Sequence, residues 1–479
     1  MTNKKKFFIS TAIPYVNAKP HMGHALEFVT ADVLARFHRM QGDLVYFLSG
    51  TDDNALKNVQ AAEQAGVPIK EYIAEHAQNF ESLLKQLSVS NDDFIKTGSD
   101  PRHLSGSQKL WSMCEKDMYK KSYVGLYCVG CEEFKTEKDL VNGECPLHPG
   151  KKLEQVEEEK YFFKLRDYQD KLLSLIESGQ MKILSEGRKN EMTSFIKGGL
   201  EDFSISRSRA RAKEWGIPVP HDDSQIMYVW FDALANYINA LGYGTDEEKF
   251  NAYWQEGETV HIVGKDINRF HSIYWPAMLL SAGVKTPTTI MVHGFITSGG
   301  QKMSKSIGNV IDPIEILHEY GVEATRYILT REISTFEDTD LTAESMKEAY
   351  NANLANGLGN LASRILKMSE SYIEEPQPHT HHAVPHTYVD LLNAYEVQKA
   401  ADFVWQEIAA MDKHIQETEP FKLYKVDKEK AREIVHGLVS RLFVVASMLE
   451  PFLPETAQKI KDLITENRAP STPLFPRKD

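Results

Sequence analysis

Two short stretches carry side chains suited to nucleotide phosphate chemistry. They are Pro20-His21-Met22-Gly23-His24 and, beginning 281 positions after His21, Lys302-Met303-Ser304-Lys305-Ser306. The imidazoles of His21 and His24 can donate hydrogen bonds to phosphoryl oxygens as charge builds on them. Gly23 removes a side chain where a nucleotide would press against backbone. Lys302 and Lys305 lie in a run from Thr297 to Ser306 rich in glycine and serine, which suits a mobile loop that carries point charges onto a leaving pyrophosphate. Either stretch alone is more often a surface turn or a solvated loop. Their order and separation together point to adenylate-forming chemistry.

The elements that must position them are legible on either side. Phe7-Phe8-Ile9-Ser10-Thr11 reads as a buried strand, and Leu26, Val29, Val33, Phe37 and Met40 recur at helical spacing. The first motif therefore falls at a strand-to-helix turn, where free N–H groups and the helix dipole favour a bound phosphate.

With both motifs in place the sequence resembles the class I aminoacyl-tRNA synthetases, whose HIGH and KMSKS motifs these stretches match. Thr11-Ala12-Ile13-Pro14-Tyr15, Gly50-Thr51-Asp52-Asp53, Tyr228-Val229-Trp230-Phe231-Asp232-Ala233-Leu234, Val263-Gly264-Lys265-Asp266 and Phe270-His271 narrow it to the methionyl-tRNA synthetases, over essentially the whole chain. A methionine site needs a carboxylate for the ammonium and an apolar, aromatic pocket for the thioether. The resemblance implies that Asp52 holds the ammonium and that Ile13 and Tyr15 lie beside the substrate. It implies that Trp230, Ala233, Tyr237, Phe270 and His271 wall the side-chain pocket, and that Gly23, Gly264 and Asp266 bind ATP with Lys302 and Lys305. Read without it, Trp230, Tyr237 and Phe270 are ordinary core aromatics and His271 a satisfied core histidine. The family's usual Glu-His-Gly after the aspartate is replaced here by Asp53-Asn54-Ala55.

The implied reaction is activation of L-methionine by ATP with Mg²⁺, then transfer to tRNA(Met), with His21, His24, Lys302 and Lys305 as the catalytic groups. The short spacing between the motifs leaves no room for the large editing insertion of the leucine, isoleucine and valine relatives. A tRNA-independent adenylating relative and a catalytically inactive RNA-binding paralogue are the rival readings.

The expected fold is α/β: a doubly wound, Rossmann-like parallel sheet over 1–113 and 226–343, split by a knuckle-type insertion over 114–225, then an all-α bundle over 344–479. In the bundle, Val404, Ile408, Met411 and Ile415 keep helical period, as do Ile434, Leu438, Leu442, Val445 and Leu449. The resemblance makes this the anticodon-binding domain, with Asn360 and Arg364 reading bases. Phe421, after Pro420, either stacks on a base or packs in the core. Pro376 to His386 reads as a loop between helices.

Three of four cysteines fall together as Cys128-Val129-Gly130-Cys131 and, after thirteen intervening residues, Cys145-Pro146-Leu147-His148. Three thiolates and an imidazole at this spacing can hold Zn²⁺ tetrahedrally; the alternative is a metal-free knuckle. In the relatives the fourth ligand is usually cysteine, so His148 is a departure. The net charge of −13 leaves little general affinity for a phosphate backbone, although Arg207 to Lys213 is locally basic, as either a tRNA-facing patch or a solvated helix start. No signal-like or transmembrane run is present, so the expected location is cytoplasmic, without membrane partners. Absence of an appended dimerising domain favours a monomer.

Overall fold

The structure is a computed structural model that describes residues 4–131, 133–135, 137–302, 311–374 and 383–479, with only the backbone described at Tyr123, Glu133, Gln301 and Lys302. Met303, Ser304, Lys305 and Ser306, and most of the Pro/His-rich loop, lie outside the described residues. Two compact units are present. The first comprises Met1–Pro20, Gly42–Lys85 and Asn91–His293; the second comprises His21–Gln41, Gln86–Ser90 and Gly294–Asp479.

The first unit is built on a parallel sheet of six strands, in the order Asp93–Lys96, Leu44–Thr51, Lys6–Thr11, Glu258–Gly264, Thr289–His293 and Lys182–Leu184. Phe7 to Thr11 are buried, as expected of a central parallel strand covered on both faces. The chain runs outward from Lys6–Thr11 to one edge and later resumes on its other side at Glu258–Gly264. That reversal creates the crevice at the strands' carboxyl ends where ligands bind in such sheets. Gly50 is required here: a Cβ would stand 2.3 Å from the Ile95 carbonyl of the adjoining strand.

The segment between the two halves of the sheet is not wholly separate from it. Its strand Lys182–Leu184 pairs in parallel with Thr289–His293 and forms the sheet's edge. The remainder is led by a long antiparallel pair, Met118–Cys128 with Glu154–Phe163, and the cysteine knuckle lies at its far end.

The second unit contains the helix Met22–Met40 and the helices Asn360–Tyr372, Val397–Thr418, Lys428–Leu449 and Pro454–Thr465. Val404, Ile408, Met411, Ile415, Leu438, Leu442, Val445 and Leu449 are buried, as their spacing requires. A widened π-helical run, Tyr350–Gly359, leads directly into Asn360. Tyr350 donates its hydroxyl to the Pro476 carbonyl, and Phe475 packs edge-on to its ring. Asn351 and Lys478 exchange two hydrogen bonds of 2.9 Å. Among the described residues no helix is long and apolar enough to cross a membrane.

Candidate active site

His21 and His24 do more than share a helix face. His21 is the N-cap of Met22–Met40 and His24 its third residue, and each closes on the other's backbone in a capping box. The Gly23 N–H donates to His21 Nδ1 and the His21 N–H donates to His24 Nδ1, both at 3.1 Å. A nitrogen that accepts cannot carry the proton of a neutral imidazole, so both rings bear it on Nε2. The rings stack at 3.8 Å. Gly23 allows this, because a Cβ there would meet the His21 ring at 2.9 Å. The helix start thus presents two Nε2–H donors together with its own backbone N–H groups.

In the first unit, the loops after three neighbouring strands converge on polar and aromatic groups. Tyr15 and Asp52 face one another in a parallel bridge, and Asp52 Oδ1 accepts the Asn54 N–H at 3.2 Å. Asp52 is buried, with its own N–H donated to the Pro14 carbonyl. Trp230, Ala233 and Tyr237 project at helical intervals from Val229–Asn239. The Tyr15 and Trp230 rings meet edge to face at 6.5 Å, and Trp230 stacks on Phe270 at 3.7 Å and 6°. Ile13 is half-buried against the adjoining apolar core. Trp230 Nε1 is buried with no hydrogen-bond partner among the described residues.

His271 closes the apolar wall. Its Nδ1 lies 2.9 Å from the Ile267 carbonyl, which can only accept, so Nδ1 carries the proton and Nε2 accepts the Tyr237 hydroxyl at 2.7 Å. Burial pushes its pKa down to about 4. This imidazole is consequently uncharged at neutral pH.

Asp266 is exposed just beyond Glu258–Gly264, and a Cβ on Gly264 would stand 2.9 Å from its Oδ1. A side chain there would push the carboxylate aside. The backbone of Lys302 pairs with Thr297, while Lys305 lies outside the described residues.

The knuckle is assembled. Ligand atoms of Cys128, Cys131, Cys145 and His148 all lie within 4.8 Å of one another. The sulfurs of Cys131 and Cys145 are 3.4 Å apart, and His148 Nδ1 is 3.3 Å from Cys131 Sγ and 3.8 Å from Cys128 Sγ. Tetrahedral zinc, with bonds of about 2.0–2.3 Å, requires edges of roughly 3.5–3.8 Å, so this donor set fits the ion. Gly130 admits the imidazole, since a Cβ would meet the His148 ring at 2.4 Å. Cys114 stands apart; burial pushes its thiol up to about 12.

In the second unit Asn360 is exposed and Arg364, one turn on, pairs with Asp412. Phe421 is exposed at 43 %, which removes the core reading of that ring. Beside Asp412 opens a cleft lined by Arg331, Asn356, Asp402 and Trp405, which the sequence analysis did not single out. Its residues come from three separate segments, and no local motif marks them. The basic segment is no helix start: Ser206–Ser208 is a strand, Arg209 pairs with Glu214, Arg211 with Glu154 and Lys213 with Glu63.

Sequence comparison places residues 7–155 and 148–366 in a family described as tRNA synthetases class I (M), and residues 379–473 in one described as the anticodon binding domain of methionyl tRNA ligase. The chain is 40% identical over 480 residues to a methionine–tRNA ligase of Brucella suis, covering 96% of this chain and 92% of the relative. It is 38% identical to that of Thermotoga maritima, covering 97% and 76%. Mycobacterium tuberculosis methionyl-tRNA synthetase in complex with methionyl-adenylate superposes with a TM-score of 0.89 at 35% identity, covering 99% of this chain and all of that one.

Proposed function

Because the chain belongs to the class I tRNA synthetase (M) family, the methionyl-tRNA synthetases, we propose the following assignment of its residues to the reaction that makes it a methionine–tRNA ligase. The observation that carries it is the buried Asp52, whose backbone bridges that of Tyr15, beside an uncharged wall in which Trp230 meets the Tyr15 ring and stacks on Phe270, with Tyr237 bonded to His271. A carboxylate at one end and uncharged aromatics at the other match an ammonium and a thioether on one small molecule.

Methionine binds with its ammonium on Asp52 and its methylthio group against the aromatic wall and Ala233, beside Ile13 and Tyr15. A methionine carboxylate oxygen attacks the α-phosphorus of ATP, the bond to the β-phosphate bridging oxygen breaks, and pyrophosphate leaves. The products are methionyl-adenylate and pyrophosphate. The Nε2–H groups of His21 and His24 donate to phosphoryl oxygens, Lys302 and Lys305 meet the departing pyrophosphate, and Asp266 accepts from the ribose. Mg²⁺ accompanying ATP would share the phosphate charge. A terminal ribose hydroxyl of tRNA(Met) then attacks the acyl carbon, AMP leaves, and the hydroxyl proton passes to solvent or phosphate.

Acceleration under this scheme is positional and electrostatic, and needs no covalent enzyme intermediate. The domain assignment follows the sequence boundaries: catalytic halves at 1–113 and 226–343, an insertion at 114–225 and an anticodon-binding bundle from 344. Asn360, Arg364 and Phe421 supply its base contacts. Cys128, Cys131, Cys145 and His148 would hold Zn²⁺, whose part is to fix the knuckle's fold.

Methionine-dependent exchange of labelled pyrophosphate into ATP tests the assignment. Exchange with methionine and none with leucine or isoleucine is expected; absence of exchange with every amino acid would refute it.

A further inference from the structure

We propose that Asn54, Asp232 and His103 are positioning residues for methionine recognition, a buried hydrogen-bonded chain that fixes the Asp52 carboxylate relative to the helix carrying the aromatic wall. The proposal rests on the assignment of Asp52 to the substrate ammonium.

Asn54 occupies the centre of the chain. Its backbone N–H donates to Asp52 Oδ1, and its side-chain amide donates to Asp232 Oδ2 at 2.8 Å and to the Thr97 carbonyl at 3.3 Å. Both amide hydrogens are therefore used, and the peptide that holds Asp52 cannot turn without breaking them. Asp232 lies in Val229–Asn239, between Trp230 and Ala233 in sequence, and is 1% exposed. A carboxylate buried at such a position needs compensation at both oxygens. Oδ2 receives Asn54 and Oδ1 receives His103 Nε2.

The proton on His103 is assigned by Asp232. The Asp232 carboxylate can only accept, so Nε2 is the donor to it, and Nδ1 faces the Asn239 amide at 3.2 Å. Asn239 also donates to Ser107 Oγ at 3.0 Å. Gly106 makes this approach possible, because a Cβ there would stand 2.0 Å from Asn239 Oδ1. The same turn is pinned elsewhere: the Asp53 N–H donates to Thr97 Oγ1, Asp53 Oδ2 accepts the Gly98 N–H, and the Trp215 indole donates to the Asp53 carbonyl. Of these contacts only the bond from Asn54 to Asp232 reaches the helix of Trp230, Ala233 and Tyr237. It sets the span between the ammonium contact and the thioether wall. It also gives Asn54, which stands where the relatives usually carry histidine, a definite task.

The test is equilibrium binding of two probes, L-methionine and its des-amino analogue 4-(methylthio)butanoate, which lacks the group that Asp52 holds. Asn54→Ala is expected to weaken methionine about tenfold, as expected for loosening one hydrogen bond to a charged group, and to leave the analogue within about twofold. The KM for methionine in pyrophosphate exchange rises correspondingly while kcat is retained. His103→Gln, which keeps an amide donor near the place of Nε2, is expected to stay near the parent for both probes; His103→Ala should follow Asn54→Ala. If His103→Ala does not fold, Asn54→Ala, which leaves Asp232 its bond from His103, decides alone. Equal loss of both probes in Asn54→Ala, or no loss of methionine, overturns the proposal. Asp52→Asn separates the two levels: a selective loss of methionine there with none in Asn54→Ala defeats only the positioning chain, whereas no selective loss in Asp52→Asn defeats the assignment of Asp52 itself.

Discussion

Asp32 and Arg326 form an ion pair of 2.7 Å with both side chains at 0% exposure. Arg326 also donates to the carbonyls of Phe452, Pro451 and Leu87, and Asp32 further accepts from Arg36 and from Ser90. Burial alone would push the Asp32 carboxyl up, but the two guanidiniums and Ser90 outweigh it and hold it below its usual 3.8. Asp32 belongs to the helix capped by His21, so the pair ties that helix to the chain around Pro451 within the second unit.

Removing either partner strands a buried charge. Arg326→Met is expected to cost about 3–5 kcal/mol in urea unfolding. Because the folded carboxyl is depressed, its contribution is complete above about pH 4 and disappears as pH falls through the lower folded value. The parent should therefore lose stability more steeply on acidification than Asp32→Asn.

The two nitrogens of His21 can be tested separately. Asparagine places its amide near Nδ1 and glutamine near Nε2, so His21→Asn keeps a cap and loses the outward donor. His21→Asn should fold with nearly parental stability and slow pyrophosphate exchange about 10²–10³-fold. His21→Gln should lose about 1 kcal/mol of stability instead and keep more of the rate. Identical rates in the two variants would show that the outward nitrogen does nothing. Lys305→Ala, by the same electrostatic logic, should slow exchange while sparing methionine binding.

His271 is neutral in the fold down to about pH 4, whereas the unfolded chain protonates it near 6.5. Its contribution is present above pH 6.5 and is lost as pH falls toward 4, on the order of 3 kcal/mol in total. Asp53 works in the opposite sense over nearly the same range, since burial raises its carboxyl to about 6. The measurement is therefore the difference between parent and His271→Gln in urea midpoints from pH 7 to 4, which should shrink as pH falls.

Purified protein should hold one equivalent of zinc. Cys145→Ser should abolish it, and Gly130→Ala should weaken retention at least tenfold by driving a methyl into the His148 ring. Metal content after dialysis against a chelator checks both. Unchanged retention in Gly130→Ala would mean that His148 is not a ligand.

Arg364→Ala should weaken tRNA binding and leave methionine-dependent exchange unaltered, because exchange does not involve tRNA. Filter binding and exchange on one preparation distinguish these.

The turn into the helix Met22–Met40 was legible because its residues are contiguous, from Pro20 to His24. The central strand was legible for a similar reason, as Phe7 to Thr11 is a short, mostly apolar run with no alternation. What stayed hidden was pairing between distant positions. Nothing local announces that Asn54 meets Asp232, or that Lys182–Leu184 joins the sheet from within the insertion. The acids that pair with Arg209, Arg211 and Lys213 were hidden in the same way, since Glu154 and Glu63 lie far off in sequence. His24 read only as a phosphate donor, because a histidine in a capping box has no signature distinct from one that faces solvent.

The two hydrogen bonds between Lys478 and Asn351, with Phe475 beside Tyr350, make the last stretch of chain a clasp on the helix turn preceding Asn360. Trimming the protein after Ser471 would open that clasp, so a shortened form could still activate its amino acid normally yet misread its RNA. Crystallisation or display versions cut back at this point would give a misleading account of decoding.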